Sequence, residues 1–450
     1  MLSSALLSVL LPIVAAGDVL VHYMVQTLSD SSKAVEDVTR AHAMGIDAFV
    51  LNVGVPGEEA TWARNCISWL FSAAASTDFK LLFSLDMNQN GDPYAFSDLI
   101  NLYINHDNYF HAGPEDLPML STFNNAPSYG PSEWNTFRSS LASDTYFVPA
   151  FDQVTPYYSD PDTFWSTWSG GLDGVMSWER SWPERVSTHE NISSGLDFYI
   201  LERAQAAGKD YMAALSTLQY KHVTNGGHWF RSGDIVMPER MTQLLSLPPT
   251  QRPEFVQIQT WNDAGESHYI GALHDEGNTD EIRLYANRAE HPHVGWQPIF
   301  ASFAAAWKAG AADASQMRTP AGWGTDKVVV GAMWHREFLA TSSCAGTDWG
   351  KPDGAGAAVD SVNWAVVLND DDGGPYSVQV YSGDVLIATD ALAPGLNYKA
   401  VGGVQLGKQV VRVVDGAGNT VLEGGESTKD ISADPSGSIC TYNLQVAELV

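Results

Sequence analysis

Eight short apolar runs recur through the first two thirds of the chain: VLVHYMV (19–25), AFVLNV (48–53), KLLFSLDM (80–87), LPMLSTF (117–123), YFVPAF (146–151), GVMSWE (174–179), YMAALST (211–217) and EFVQIQT (254–260). Most are nearly continuous in apolar residues rather than alternating, the pattern of strands buried on both faces; parallel strands of that kind need long crossovers. The intervening segments supply them. DSSKAVEDVTRAHAMG sets Ala34, Val38 and Ala41 on one helical face and stops at Gly45, and TWARNCISWLFSAAAS is expected to bury Trp62, Cys66, Trp69 and Ala73. Eight β/α units predict an α/β chain with a (β/α)8 TIM-type barrel over residues 18–312. A doubly wound open sheet is the alternative, but no G-x-G-x-x-G follows the first run to support a dinucleotide site.

The pattern changes after PIFASFAAAWKAG (298–310). Glycine becomes frequent, and KVVVGAMW, VNWAVVLN, YSVQVYSG, VLIATD and KQVVRVVD follow one another between turns such as DDDGGP and DGAGN, which predicts an all-β, sandwich-like domain over 313–450. Its Trp334, Trp349 and Trp364 are expected to fill that core or dock it on the barrel rather than bind carbohydrate. At the other end, MLSSALLSVLLPIVAAGD resembles a secretory signal peptide over 1–17, and no other stretch is long and apolar enough to span a bilayer. In an oxidising compartment Cys344 and Cys440 are expected to join across the carboxy-terminal part, leaving Cys66 buried and inert. Asn191-Ile-Ser193 is an N-glycosylation triplet.

Charge narrows the partners. Twenty-four basic residues against 53 acidic ones give a net charge of −29, which repels nucleic acid and an anionic membrane surface but suits a neutral polymer. Fifteen Trp and 17 Tyr supply flat rings that stack on sugar faces.

In a barrel of this kind the active site lies on the loops after the strands. Those positions hold Asn52, Asp86, Asp152 and Glu179 with Trp178; His22 lies inside the first run and can point inward. After the eighth comes IQTWNDAGESHYIG (258–271), with Asp263, Glu266 and His268 beside Trp261 and Tyr269. Converging carboxylates repel, so at least one keeps its proton near neutral pH. A protonated and an ionised carboxyl together are what glycoside hydrolysis uses. His268 reads equally as a loop-packing partner or a substrate contact, and Trp261 and Tyr269 as a stacking platform or a seal of the barrel mouth. Other chemistries find no motif: H-E-x-x-H, paired C-x-x-C, G-x-S-x-G and G-x-x-x-x-G-K-[ST] are all missing, and His291 and His293 of EHPHVGW read as a solvated turn.

VHYMVQ at the first strand, GIDAFVLNVG at the second, FKLLFSLDMN at the third and TWNDAGESHYIG after the eighth resemble fungal α-1,3-glucanases (mutanases) of glycoside hydrolase family 71, in order across residues 19 to about 310. The chain departs at Ala264, where the family pattern has an aromatic residue, and at Gln26, where it has glycine. The resemblance implies a secreted, monomeric enzyme needing no metal or other cofactor, with inverting, endo-type hydrolysis of the α-1,3-glucan of fungal walls and bacterial biofilms. It makes Asp263 and Glu266 the catalytic pair, with Glu266 as general acid and Asp263 as general base, their carboxyls roughly 6.5–9.5 Å apart to admit a water, whereas about 5 Å would instead mean a retaining mechanism. Asp86, Asp152 and Glu179 then hold sugar hydroxyls or orient that water. Two other readings stand beside it: a carbohydrate-binding wall protein whose catalysis has been lost, and an adhesive surface protein working through the carboxy-terminal β domain.

Overall fold

The computed structural model describes residues 17–224, 227–322, 327–347, 349–369, 374–426, 428–435 and 439–450, so the expected signal segment lies, Gly17 aside, outside the described residues. All eight apolar runs contain strands: β1 Asp18–Met24, β2 Ala48–Val53, β3 Lys80–Asp86, β4 Leu117–Phe123, β5 Tyr146–Phe147, β6 Gly174–Met176, β7 Asp210–Ser216 and β8 Phe255–Gln259. They pair in parallel in the order β5-β4-β3-β2-β1-β8-β7-β6, with a two-residue strand, His111–Ala112, added antiparallel to β4. That is the strand order of a (β/α)8 barrel unrolled at one seam.

The expected closed barrel is corrected at that seam. Among the described residues no regular ladder joins β5 to β6; two backbone hydrogen bonds cross instead, from the Asp173 N–H to the Phe147 carbonyl and from the Met176 N–H to the Pro149 carbonyl, both 2.9 Å. Pro149 has no N–H to return, which stops a reciprocal ladder from forming there.

Alternation along each strand decides what faces the interior. On β1, Tyr23 turns outward and donates its hydroxyl to Asp37 on helix α1 (Ser31–Ala43) at 2.9 Å, while His22 points inward, 3.4 Å from Gln257 on β8. Helix α1 starts at Asp30, whose carboxylate accepts the Ser32 N–H at 2.8 Å, and buries Ala34, Val38 and Ala41 as expected. Helix α2 (Thr61–Ala74) differs from expectation: it buries Ala63, Cys66, Ile67, Leu70, Phe71 and Ala74, and Trp62 is 39 % exposed. The stripe of Ile67, Leu70, Phe71 and Ala74 is the longer apolar face, and it turns the ring of Trp62 out.

The carboxy-terminal part holds β9 Val329–Arg336, β10 Val362–Leu368, β11 Ser377–Ser382, β12 Val385–Ala391, β13 Gly395–Val401, β14 Gln409–Val414, β15 Thr420–Gly424 and β16 Leu444–Leu449. They form two four-stranded antiparallel sheets, β13-β10-β9-β16 and β12-β11-β14-β15. The first is apolar on both faces. Val330, Ala332, Trp334, Ala365, Val367, Leu444 and Val446 join the barrel core, whereas Val329, Met333, Val362, Trp364, Val366, Ala447 and Leu449 join a second core against the outer sheet. The molecule is therefore layered from barrel to inner sheet to outer sheet without a solvated gap at these strands. Trp334 docks on the barrel side with its indole N–H 2.6 Å from the Asp234 carbonyl, and Trp364 fills the second core. Cys344 and Cys440 are joined by a disulfide, Cys66 is buried and unpaired, and Asn191 is exposed.

Candidate active site

The carboxyl end of the sheet carries a floor of buried polar groups. His22, Asn52, Asp86, Asp152, Trp178 and Gln257 are all buried there, contributed by six different strands or the loops that follow them. Trp178 stands in the middle, its ring edge-on to His22 at 4.7 Å, to Phe123 at 4.9 Å and to His268 at 6.4 Å. Burial, reinforced by His268, lowers the His22 imidazole to about 3, so it is a neutral group. His22 Nε2, Asn52 Oδ1, Asp152 Oδ1 and Gln257 Oε1 are buried without a protein partner. Unsatisfied buried polar atoms are costly, and several at one end of a sheet are free to accept or donate to a polar ligand there.

Asp152 and Glu179 share the next wall. Asp152 Oδ2 accepts the Glu179 N–H at 2.8 Å and the Tyr158 hydroxyl at 3.0 Å, and Glu179 Oε2 pairs with Arg231 Nη2 at 2.6 Å. Burial, with the Glu179 carboxylate adding to it, raises Asp152 to about 6. Asp86 is pushed up by burial, opposed by the Gln89 and Asn88 N–H groups it accepts.

The loop after β8 is one tight turn. Thr260 Oγ1 accepts the Asp263 N–H at 2.8 Å, Asp263 Oδ1 accepts the Glu266 N–H at 3.0 Å, and Ser267 adopts a left-handed φ of 62°. A residue–x–x–residue turn of this kind puts both carboxylates on one rim. His268 Nε2 lies 3.3 Å from Glu266 Oε2 and 3.8 Å from Asp263 Oδ2, while Gln219 donates to Glu266 at 2.6 Å and the Lys221 ammonium approaches it at 3.2 Å. The two acids are driven apart electrostatically. Burial raises Asp263, with His268 opposing it and the Glu266 charge adding to it. Burial pushes Glu266 up as well, but the His268 hydrogen bond and charge, then Lys221 and Gln219, outweigh it and hold this carboxyl at about 2. The free site therefore holds Glu266 ionised more firmly than Asp263, whose carboxyl is shifted the other way. One donor atom each from Asp263, Glu266 and His268 lie within 4.8 Å of one another, so the nearest oxygens of the pair fall short of the roughly 6.5–9.5 Å between the carboxyls of an inverting enzyme and near the separation of about 5 Å that marks a retaining one.

Such a trio of donors has the spacing of a cation site. Lys221 already stands at Glu266 with a positive charge, and a divalent ion beside that ammonium would be repelled, so the trio is better suited to proton transfer.

Two expected substrate contacts face elsewhere. Trp261 is fully buried and packs on Phe49, 5.2 Å between rings, on the helix side of the sheet. Tyr269 is also fully buried, stacked at 3.9 Å on His293 with its hydroxyl given to the His291 carbonyl at 2.6 Å. His291 and His293 are not a solvated turn: both are buried, His291 on Glu337 at 2.9 Å and His293 Nε2 3.2 Å from the Leu444 carbonyl, so this segment is the mortise between barrel and inner sheet.

Sequence reasoning missed Gln219, Lys221 and Arg231, which come from a hairpin, Gln219–Val223 with Gly227–Arg231, inserted after β7. The Asn225-Gly226 dipeptide between two β-rich stretches was the available signal. It missed Trp182 as well, whose ring lies 5.1 Å from His268.

Among known proteins, the chain is 28 % identical over 374 residues to the mutanase Pc12g07500 of Penicillium rubens, covering 81 % of this chain and 75 % of that one. It is 28 % identical over 291 residues to the glucan endo-1,3-alpha-glucosidase agn1 of Schizosaccharomyces pombe, covering 61 % and 62 %, and 29 % identical over 247 residues to the ascus wall endo-1,3-alpha-glucanase of the same yeast, covering 52 % of each. A solved endo-alpha-mannosidase of family GH99 from Bacteroides thetaiotaomicron superposes with a TM-score of 0.49 at 10 % identity, over 64 % of this chain and 97 % of that one. The profile of Glycosyl hydrolase family 71 matches residues 15–450; the chain belongs to that family and is a glycoside hydrolase.

Proposed function

We propose that this protein is a secreted endo-acting hydrolase of α-1,3-glucan, with Asp263 and Glu266 as its acid–base pair. The observation that carries the reading is the divergence of two neighbouring carboxyls at the end of a barrel-like sheet, Asp263 raised and Glu266 held at about 2. Substrate linkage is taken from the relatives named mutanase and endo-1,3-alpha-glucosidase.

On this reading Asp263 gives its proton to the departing glycosidic oxygen, and Glu266 takes a proton from the water that attacks the anomeric carbon from the opposite face. The bond to the leaving sugar breaks as the bond to water forms, which inverts the anomeric centre. The water needs room, so the seated sugar has to draw Glu266 away from His268. His22, Asn52, Asp86, Asp152, Glu179 and His268 hold the sugar hydroxyls, and Trp178 supplies an apolar edge. Residues 18–312 form the catalytic unit and 313–450 the β unit that completes its wall; residues 1–17 direct export, Asn191 is available for glycosylation, and the enzyme acts as a monomer at the cell wall or outside it.

The test is incubation of the purified chain with α-1,3-, α-1,4- and β-1,3-glucans, following reducing ends and product length. Release from the α-1,3 polymer alone, lost in both Asp263→Asn and Glu266→Gln, is the expected result. Retained release in both variants overturns the site. Sedimentation with insoluble glucan without any product favours the wall-binding reading instead.

A further inference from the structure

The hairpin after β7 uses its two faces for different tasks. Gln219 pairs with Arg231 and Lys221 with Trp229 across the ladder, so these four side chains share a face. From it Gln219 and Lys221 reach Glu266, and Arg231 reaches Glu179. The Lys221 ammonium lies 4.9 Å from the centre of the Trp229 ring, which fixes its stem over an aromatic surface. On the opposite face Tyr220 and His222 pack on Tyr285, at 5.4 and 5.9 Å. The Tyr220 N–H donates to the Glu266 carbonyl at 2.9 Å, so hairpin and catalytic turn are joined through backbone as well as side chains.

A single backbone bridge from the carboxy-terminal part joins this hairpin at Asp353. The Phe230 N–H donates to the Asp353 carbonyl at 2.8 Å, the Asp353 N–H donates to the His228 carbonyl at 3.0 Å, and Trp349 stacks on His222 at 4.9 Å. The close approach depends on Gly354: its φ is +85°, and a Cβ there would stand 2.3 Å from the Phe230 carbonyl oxygen. Ten residues upstream the segment is tethered by the Cys344–Cys440 disulfide.

We infer that Lys221 is a positioning residue that keeps Glu266 ionised and oriented, and that the 349–354 segment maintains it by bridging to the edge of the hairpin at Asp353. The inference rests on the reading of Glu266 as one of the catalytic pair. The groups facing Glu266 are Asp263 and His268 from its own loop, Lys221 and Gln219 from the hairpin, and, farther off, the Tyr285 phenol. Of these, Lys221 supplies the ammonium group, 3.2 Å from Glu266 Oε1. The carboxy-terminal β unit thus contributes to catalysis through the state of a carboxylate, without touching the sugar.

The experiment uses the full chain with 13C-labelled glutamate carboxyls, Glu266 being assigned by its missing signal in Glu266→Gln. Lys221→Met is expected to raise the Glu266 titration from about 2 by about one pH unit or more, with Lys221→Arg restoring it. The acid limb of kcat/KM follows, a loss of about tenfold below both values. Gly354→Val, which leaves every side chain around Glu266 in place, is expected to move the titration the same way; Gly354→Ala serves if the valine variant does not fold. A Lys221→Met titration coincident with wild type overturns the role of Lys221. A folded Gly354 variant with the wild-type titration overturns that of the segment. The carboxyl signal does not depend on turnover, so a wild-type protein that releases no glucan fragments refutes the proposed function while leaving this test readable.

Discussion

Replacing Asp152 with Asn tests whether the site floor is held at the expense of stability. Asp152 is buried, and that burial, with the Glu179 charge nearby, lifts its carboxyl from 3.8 to about 6 despite the Glu179 N–H and the Tyr158 hydroxyl it accepts. A shift of that size corresponds to about 3 kcal/mol between folded and unfolded chains. Below pH 3.8 both states are protonated and there is no penalty. As pH rises towards 6 the unfolded chain ionises first, so stability falls, and above 6 the whole penalty applies. Asparagine keeps the shape and removes the charge, but it accepts the two hydrogen bonds less strongly, a loss of about 1 kcal/mol. Asp152→Asn is therefore expected to be more stable than wild type by about 2 kcal/mol at pH 7.5 and slightly less stable at pH 3.5, read from urea midpoints at the two pH values. Hydrolysis should fall by about 10- to 100-fold if Asp152 Oδ1 receives a sugar hydroxyl. A stability change of the same sign and size at both pH values would refute the reasoning, because it would mean that the buried carboxyl carries no ionisation penalty.

The proposed catalytic pair makes separable predictions. Asp263→Asn should recover most of its rate on an α-1,3-gluco-oligosaccharide bearing a dinitrophenol leaving group, which needs no proton, whereas Glu266→Gln should be rescued by azide; the opposite pattern would restore Glu266 as the acid. Proton NMR during early hydrolysis should show the β-anomer first, and an initial α-anomer would mean that the close spacing of the free carboxylates is the working one. Trp334→Ala removes a fully buried ring between barrel and inner sheet, with an expected loss of about 3–5 kcal/mol and an exposed apolar face detectable by dye binding; a loss under about 1 kcal/mol would show that the two units do not depend on that contact.

The strands were legible because burial on both faces writes itself into local composition. VLVHYMV and KLLFSLDM have no exposed face to keep polar, so their apolar runs mark strands without help from distant residues. The strand-end acids were legible for the same reason: where an apolar run meets Asp86, Asp152 or Asp263, the chain leaves the core at the end where this architecture keeps its chemistry. What could not be read was direction. Trp261 and Tyr269 stand in the loop after β8 beside Asp263 and His268, yet the turn sends their rings to the helix layer and to the inner sheet. His291 and His293 sit in a Pro-containing, polar stretch that looks solvated until the inner sheet covers it.

The strands themselves, the all-β character of the carboxy-terminal part and the acids of the turn after β8 follow from residue spacing alone, because each depends on neighbours within a few positions along the chain. The opposite electrostatic shifts of Asp263 and Glu266, the seam at Pro149 and the bridge to the hairpin at Asp353 belong to the tertiary structure. Each depends on a charge, a carbonyl or a backbone edge brought from tens of residues away, and electrostatic and hydrogen-bond energies depend on distance in space, which local sequence does not encode.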